Sequence, residues 1–419
     1  MEYTGVILLL INLYICFKDK TKGIFLFVFF SLVSPHVVIS GMSISYNIIA
    51  FFPIFFLYIL ERHIFNVPRV FLVLILYFLL LCISTLYSAA LNHVDVEYAA
   101  IFGAFRFICL TLVLVDDKNC NVNYVHKLFF WGITINLVFS VLQIGFPQFT
   151  QVFHDLYSKK SATTLDYYLE AGFFNRGVGT FGTPTVLGVF SLLSFCLFYF
   201  ELKYGLFQKF KIWGLVFSLI CGLLSLSKTF LLGIPMLFLL ELFVNIYKTK
   251  GRIKMKIRIN KGMTFILLFL IVLGAVVINQ LVKNGFSILW YLGFLLEPGK
   301  ALETRYDTNT GILDGLFSVI KKNPFIGVGE TVLPRVFIGD SSYVCIVYSV
   351  GFLGLFLFLT LWGKLLLQSL GNNKYYYSHL FLLITLLMTF VGSNIFATPL
   401  SAVVLSYASC NRMKYINKV

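Results

Sequence analysis

Apolar stretches of membrane-crossing length follow one another along almost the whole chain, and no other feature constrains the fold as tightly. A helix needs about 20 apolar residues to cross a bilayer, where lipid offers no partner to an open backbone group. Such stretches begin near Tyr3, Gly23, Tyr46, Arg69, Ala99, Leu128, Val178, Ile212, Phe230, Met263, Tyr343, Ser378 and Phe396. Hydrophobic residues make up 59% of the chain and charged ones 12%, whereas a soluble globule carries about 25% charge. The expected fold is therefore all-α, a polytopic membrane bundle of about 12 to 13 transmembrane helices with a long extracytoplasmic loop.

The net charge of +15 does not point to nucleic acid, because the excess sits in short loops and at the C-terminus, where it sets topology. Lys18 with Lys20 and Lys22, Arg62 with Arg69, Lys118 with Lys127, Lys203 with Lys209 and Lys211, Lys248 to Lys261, Lys374, and the tail with Arg412, Lys414 and Lys418 all fall on one side when spans alternate. Basic loops stay inside, which predicts an outer N-terminus and an inner C-terminus. The first run, Tyr3 to Phe17, lacks a basic leader and cleavage site, and reads as a short first helix. The chain then divides into N-terminal helices over 1–146, an outer loop over 147–177, central helices over 178–282 with a basic cytoplasmic loop at 248–262, a long outer loop over 283–341, and C-terminal helices with a basic tail over 342–419.

Chemistry is sought on the outer face. The segment Pro147 to Asn175 is rich in Tyr, Asp and Ser, which suits either sugar contacts, with Tyr167 and Tyr168 foremost, or an interfacial tyrosine belt. In the long loop, Ile312 to Ile320 has the spacing of an amphipathic helix. The run Asn175-Arg176-Gly177-Val178-Gly179-Thr180-Phe181-Gly182-Thr183-Pro184 sets an arginine before glycines that let backbone approach a ligand, and guanidinium holds phosphate in a two-pronged grip. Ser225-Leu226-Ser227-Lys228 is a tight turn with hydroxyls beside one cation. Arg106, deep in a span, either faces a polar cavity or pairs with Glu97 or Asp95. The cysteines show no disulfide framework, and no metal-ligand spacing or P-loop occurs, so neither metal nor cofactor is expected.

Taken in order, Arg176 with GTFGTP, LSLSK at 224–228, Thr304-Arg305-Tyr306, NPFIGVG at 323–329, Asp340-Ser341-Ser342-Tyr343 and GFLG at 351–354 resemble the O-antigen polymerase and ligase superfamily of bacterial envelope proteins. The resemblance implies a glycosyltransferase of the bacterial cytoplasmic (inner) membrane that takes a glycan from undecaprenyl diphosphate at the outer face. Its partners would be such lipid-linked glycans, membrane lipids and a chain-length regulator. Arg176 and Arg305, with Arg106, would grip diphosphate; Asp340 or Glu330 would activate the acceptor hydroxyl; Lys228, Tyr343, Tyr306 and the Tyr167-Tyr168 pair would contact substrate. The ligase branch carries a histidine next to an asparagine where this chain has Asp340-Ser341, which moves the reading towards polymerase. The repeated Arg-x10-Gly pattern of some polymerases is absent. The alternatives are a ligase that joins the glycan to lipid A core, and a lipid-linked oligosaccharide flippase. Transporters favour broken helices and charges spread through their spans, whereas here the polar groups gather outside.

Overall fold

Segments apolar on every side close their backbone bonds in lipid only as helices, and the computed structural model is helical apart from one short hairpin. It describes residues 4–39, 42–60, 67–116, 121–203, 211–248, 317, 321, 323–331, 341–369 and 376–410. The helices are α1 (Thr4–Lys18), α2 (Lys20–Val33), α3 (Tyr46–Ile49), α4 (Phe51–Leu60), α5 (Leu72–Asn92), α6 (Tyr98–Val115), α7 (Val122–Gly145), α8 (Thr150–Tyr157), α9 (Ala162–Ala171), α10 (Pro184–Lys203), α11 (Lys211–Ser225), α12 (Lys228–Lys248), α13 (Ser342–Ser369), α14 (Tyr376–Thr389) and α15 (Pro399–Ser409). Strands β1 (Val37–Ile39) and β2 (Met42–Ile44) pair antiparallel, with Val37 opposite Ile44.

Among the described residues, five helices are long and apolar enough to cross a membrane: α5 together with the preceding 3-10 turn Arg69–Phe71, then α6, α7, α10 and α13. Shorter apolar helices include α1, α11 and α15. Most of the expected starts have a helix opening within three residues, and the start at Met263 lies outside the described residues. Two starts miss by six residues, Leu128 against Val122 and Val178 against Pro184. The second miss has a physical cause, because residues 177–183 are held as a loop by side chains of α7.

Two compact units form. The first holds most of α7, α8 to α12, the end of α2 and the hairpin; the second holds α4 to α6 and α13 to α15. In the first, Gly177 N donates to Leu224 O at 2.9 Å, joining the loop before α10 to the end of α11. At the other end of α10, Glu201 Oε1 lies 3.5 Å from His126 Nε2 of α7. In the second unit, Glu97 N donates to Glu330 O at 2.9 Å at one end, and Ser406 Oγ donates to Leu114 O at 2.8 Å at the other. Within each unit, loops expected on one side therefore meet loops expected on that side.

The segment over 147–177 folds on itself. Helices α8 and α9 form a hairpin with its own core of Phe153, Tyr157, Leu165, Tyr168, Phe174 and Val178, packed on Phe139 and Leu142 of α7. Gly172 ends α9 in the left-handed conformation (φ 74°), as a helix C-cap favours. Tyr157 Oη and Lys160 Nζ donate to Val33 O (3.1 Å) and Leu32 O (2.8 Å), closing orphan carbonyls at the end of α2. His154 bridges the hairpin's outer side, 2.8 Å from Asp166 Oδ1 and 3.4 Å from Asp155 Oδ1.

Helix α13 is broken. Gly351 sits at φ 63°, ψ −163°, a conformation open essentially to glycine alone. In an unbroken helix the carbonyls of Tyr348 and Ser349 would accept from the N–H groups of Phe352 and Leu353. Here all four groups turn to residues 324–329 instead. Val328 N and Gly329 N donate to Tyr348 O (2.9 Å) and Ser349 O (2.8 Å), while Phe352 N and Leu353 N donate to Pro324 O (3.0 Å) and Phe325 O (3.1 Å). The segment thus splints the break with four bonds where two were forfeited. Glycine is required on both sides of the seam, since a Cβ on Gly329 would stand 2.2 Å from Thr85 Cα and one on Gly351 2.4 Å from the Phe325 carbonyl. The sequence motifs NPFIGVG and GFLG are the two halves of this one joint. A broken helix is also among the marks of transporters.

One cysteine departs from expectation as well. Cys410, directly after α15, is disulfide-bonded. Pairing is not readable from spacing alone, and the bond runs against the expected inner position of this end, where thiols are normally kept reduced.

Candidate functional site

The splint delivers a carboxylate. Glu330 follows Gly329 directly, and its backbone is fixed on both sides: its N–H donates to Thr85 Oγ1 at 3.0 Å and its carbonyl accepts from Glu97 N at 2.9 Å. A bridge between Val96 and Thr331 continues the same pairing. The carboxylate accepts from Ser349 Oγ at 3.0 Å, and Ser349 O is held in turn by Ser84 Oγ at 2.9 Å. Burial pushes the Glu330 carboxyl above the usual glutamate range; the Ser349 hydrogen bond opposes that shift, and the nearby Glu97 charge adds to it.

Glu330 lines a cavity of about 220 Å³ in the second unit. Tyr77 from α5, Gly103 and Phe107 from α6, Ser349 from α13 and Asn394 from the turn before α15 face the same space. Ser349 stands seven residues into α13 and Phe107 nine into α6, so the cavity reaches roughly 10–14 Å along these helices from their first residues at 1.5 Å per residue. One wall is aromatic, with Phe396 5.1 Å from Phe107 and 5.6 Å from Tyr77 between ring centroids. The turn carrying Asn394 is anchored by Ser342, whose Oγ donates to Ser393 O at 2.8 Å and accepts from Ile395 N at 3.1 Å. A carboxylate with a raised pKa, sharing a cavity with aromatic, hydroxyl and amide side chains, can accept a proton from a bound alcohol.

Arg106 lies next to this cavity without lining it. Its guanidinium carbon sits 4.9 Å over the Phe102 ring, and Nη2 would be 3.9 Å from a Cβ on Gly103. Nε is buried with no hydrogen-bond partner. Pairing with Glu97 or Asp95 does not form among the described residues; the aromatic face takes the place of the carboxylate.

In the first unit, Arg176 stands half-buried at the start of a loop that its neighbours pin. Gln143 of α7 accepts from Val178 N (3.1 Å) and Gly179 N (2.9 Å) and donates to Gly179 O (3.0 Å). Asn136 accepts from Thr180 N at 2.8 Å. The glycines here bring backbone close to α7 rather than to a ligand: a Cβ on Gly177 would lie 2.9 Å from Ser140, and one on Gly179 2.2 Å from Asn136 Oδ1. The Arg176 guanidinium faces the Tyr168 hydroxyl, whose pKa is pushed up by burial and drawn back by that cation and its hydrogen bonding.

Two tyrosines expected to meet sugar are otherwise engaged. Tyr168 is 1% exposed, inside the hairpin core, while Tyr167 beside it is 57% exposed. Tyr343 Oη donates to Leu387 O at 2.9 Å, and its ring packs on Phe358 and Phe390. Both were expected from position at the outer face, and both are drawn into packing because a ring's area outweighs one hydroxyl. Lys228 opens α12, in the turn where Leu226 adopts φ 46°. Asp340, Arg305, Tyr306 and most of the expected helix at Ile312 to Ile320 lie outside the described residues. The sequence reading missed Tyr77, Ser349, Gly103 and Asn394. Only Gly392-Ser393-Asn394, a polar break between apolar runs, carried a signal. Compared with family models, curated proteins and solved structures, the chain matches none.

Proposed function

We propose that the chain is a membrane glycosyltransferase that polymerises undecaprenyl-diphosphate-linked repeat units into O-antigen or capsular polysaccharide at the outer face of the bacterial inner membrane. Supporting it is the Glu330 carboxylate, fixed by two backbone bonds in a recessed, partly polar cavity where burial raises its proton affinity. In the proposed reaction Glu330 takes the proton of the acceptor hydroxyl as that oxygen bonds to the donor sugar's anomeric carbon. The bond from that carbon to the lipid diphosphate breaks, and the diphosphate leaves with the electron pair. Arg106, with its unsatisfied Nε beside the cavity, is the cation offered to that charge, and Arg176 and Arg305 are added on the strength of the motif resemblance alone. Asp340 stays the alternative base on the strength of the motif resemblance. The ligase reading differs only in the acceptor.

A flippase is the second reading, and the observation that favours it is the break in α13 beside a buried carboxylate. The products formed in a strain lacking the protein separate the three. Lipid A core bearing a single repeat unit is the polymerase result, long polymer stranded on undecaprenyl diphosphate is the ligase result, and lipid-linked repeats held at the inner face are the flippase result. Glu330→Gln should lower polymer formation by roughly 10² to 10⁴, the range for loss of a general base, with protein abundance unchanged.

A further inference from the structure

We infer that the Glu330 cavity admits one six-membered sugar ring of the acceptor, and that Gly103 sets its size; the inference rests on the proposed glycosyl transfer and names the substrate group that enters. A dry cavity of about 150 Å³ is enough for a benzene ring. At about 220 Å³ this one holds a ring with its substituents. Its lining mixes the two kinds of group a pyranose needs. Glu330, Ser349 and Asn394 offer hydrogen-bond partners for hydroxyls, and Phe107, Phe396 and Tyr77 offer apolar surface for C–H bonds. On α6, Ala100, Gly103 and Ala104 precede Phe107 along one face, so small side chains leave room along that part of the lining.

Gly103 is the informative position because packing does not demand it. A Cβ there would meet nothing nearer than Arg106 Nη2 at 3.9 Å, whereas on Gly214, Gly222 and Gly233 it would run into Phe198, Phe230 and Leu192 at 2.6 Å or less. A glycine inside a helix is destabilising relative to alanine. The space it leaves is what that cost maintains. Gly103→Ala is therefore a substitution the fold accepts, and an effect on activity reports on the cavity.

The test measures polymerisation in membranes containing the full-length protein, with lipid-linked repeat units as acceptor, alongside thermal stability and abundance. Gly103→Ala should raise the acceptor KM about tenfold with kcat nearly unchanged, as one added methyl does in a close-fitting pocket. Gly103→Leu should abolish polymerisation, and neither variant should melt below the parent. An unchanged acceptor KM in Gly103→Ala with full activity in Gly103→Leu overturns the inference when Glu330→Gln is inactive, because the site then works without this size limit. If Glu330→Gln is also fully active, the proposed site itself falls. Should Gly103→Leu fail to accumulate, Gly103→Ala decides alone: a KM equal to the parent's overturns the inference.

Discussion

The two glycine-rich segments, at 177–182 and at 327–329, look alike in sequence and are held in opposite ways. The first is gripped by side chains, with Gln143 and Asn136 reaching from α7 to its N–H and C=O groups. The second is gripped by backbone, inserted into the break of α13 and bonded there on both edges. A side chain can rotate away from an intruding methyl, whereas a backbone fixed in a four-bond seam has nowhere to go. Positive φ makes Gly179 and Gly182 intolerant of a side chain as well, but a Cβ on Gly329 or Gly351 also strikes backbone, and the carboxylate attached to that rigid seam is the better-fixed group.

The largest effect should come from the seam. Gly329→Ala or Gly351→Ala should cost about 3 kcal/mol or more, through a positive φ and a backbone collision, and leave little protein in the membrane. Normal abundance and melting of either variant would break the contrast. Next comes the amide of α7. Gln143→Leu strands two N–H groups and one carbonyl, and should cost about 2–3 kcal/mol while leaving the seam's unit folded by limited proteolysis.

Glu330→Gln sharpens the comparison through pH. The folded carboxyl has a raised pKa, so the parent protein loses stability as pH climbs from the ordinary glutamate value through the raised one. The variant cannot ionise, and its melting temperature should exceed the parent's at neutral pH, with the gain gone in acid. A gain that is the same at every pH would remove the buried-charge argument. The smallest effect belongs to the hairpin of α8 and α9. Hydrogen bonding to Asp166 raises the His154 pKa, with Asp155 helping, so that stabilisation is complete in acid and fades as pH rises through the raised value. Asp166→Asn should lower stability by less than ~1 kcal/mol in acid, and by less still at alkaline pH, because the pair is partly exposed.

Helix positions were legible because apolar length and basic loops both follow from the bilayer. The break at Gly351 was not, since its flanks Val350 and Phe352 are as apolar as any helix interior. Glu330 was legible as an acid in a motif, but its cavity was not, because Tyr77, Gly103, Ser349 and Asn394 come from four separated segments and only folding brings them together. Arg106 shows the limit of charge pairing as a guide: the carboxylate pair that was one of its two readings does not form, and the guanidinium lies over the Phe102 ring with Nε unpartnered. The Cys410 disulfide lay beyond spacing arguments altogether.

The splinted break also bears on how the chain enters the membrane. Read by hydropathy as it is made, Ser342–Ser369 is a single 28-residue span, and an insertion machinery would pass it sideways into lipid as one rod. Bent at Gly351 without its splint, that rod would show lipid two bare carbonyls and two bare N–H groups, each worth several kcal/mol. Residues 324–329 are synthesised earlier, so the bend is a product of assembly rather than of insertion. A chain cut between 331 and 341 and expressed as two pieces would carry its hinge only where the pieces meet, which makes the bend of α13 a reporter of completed assembly.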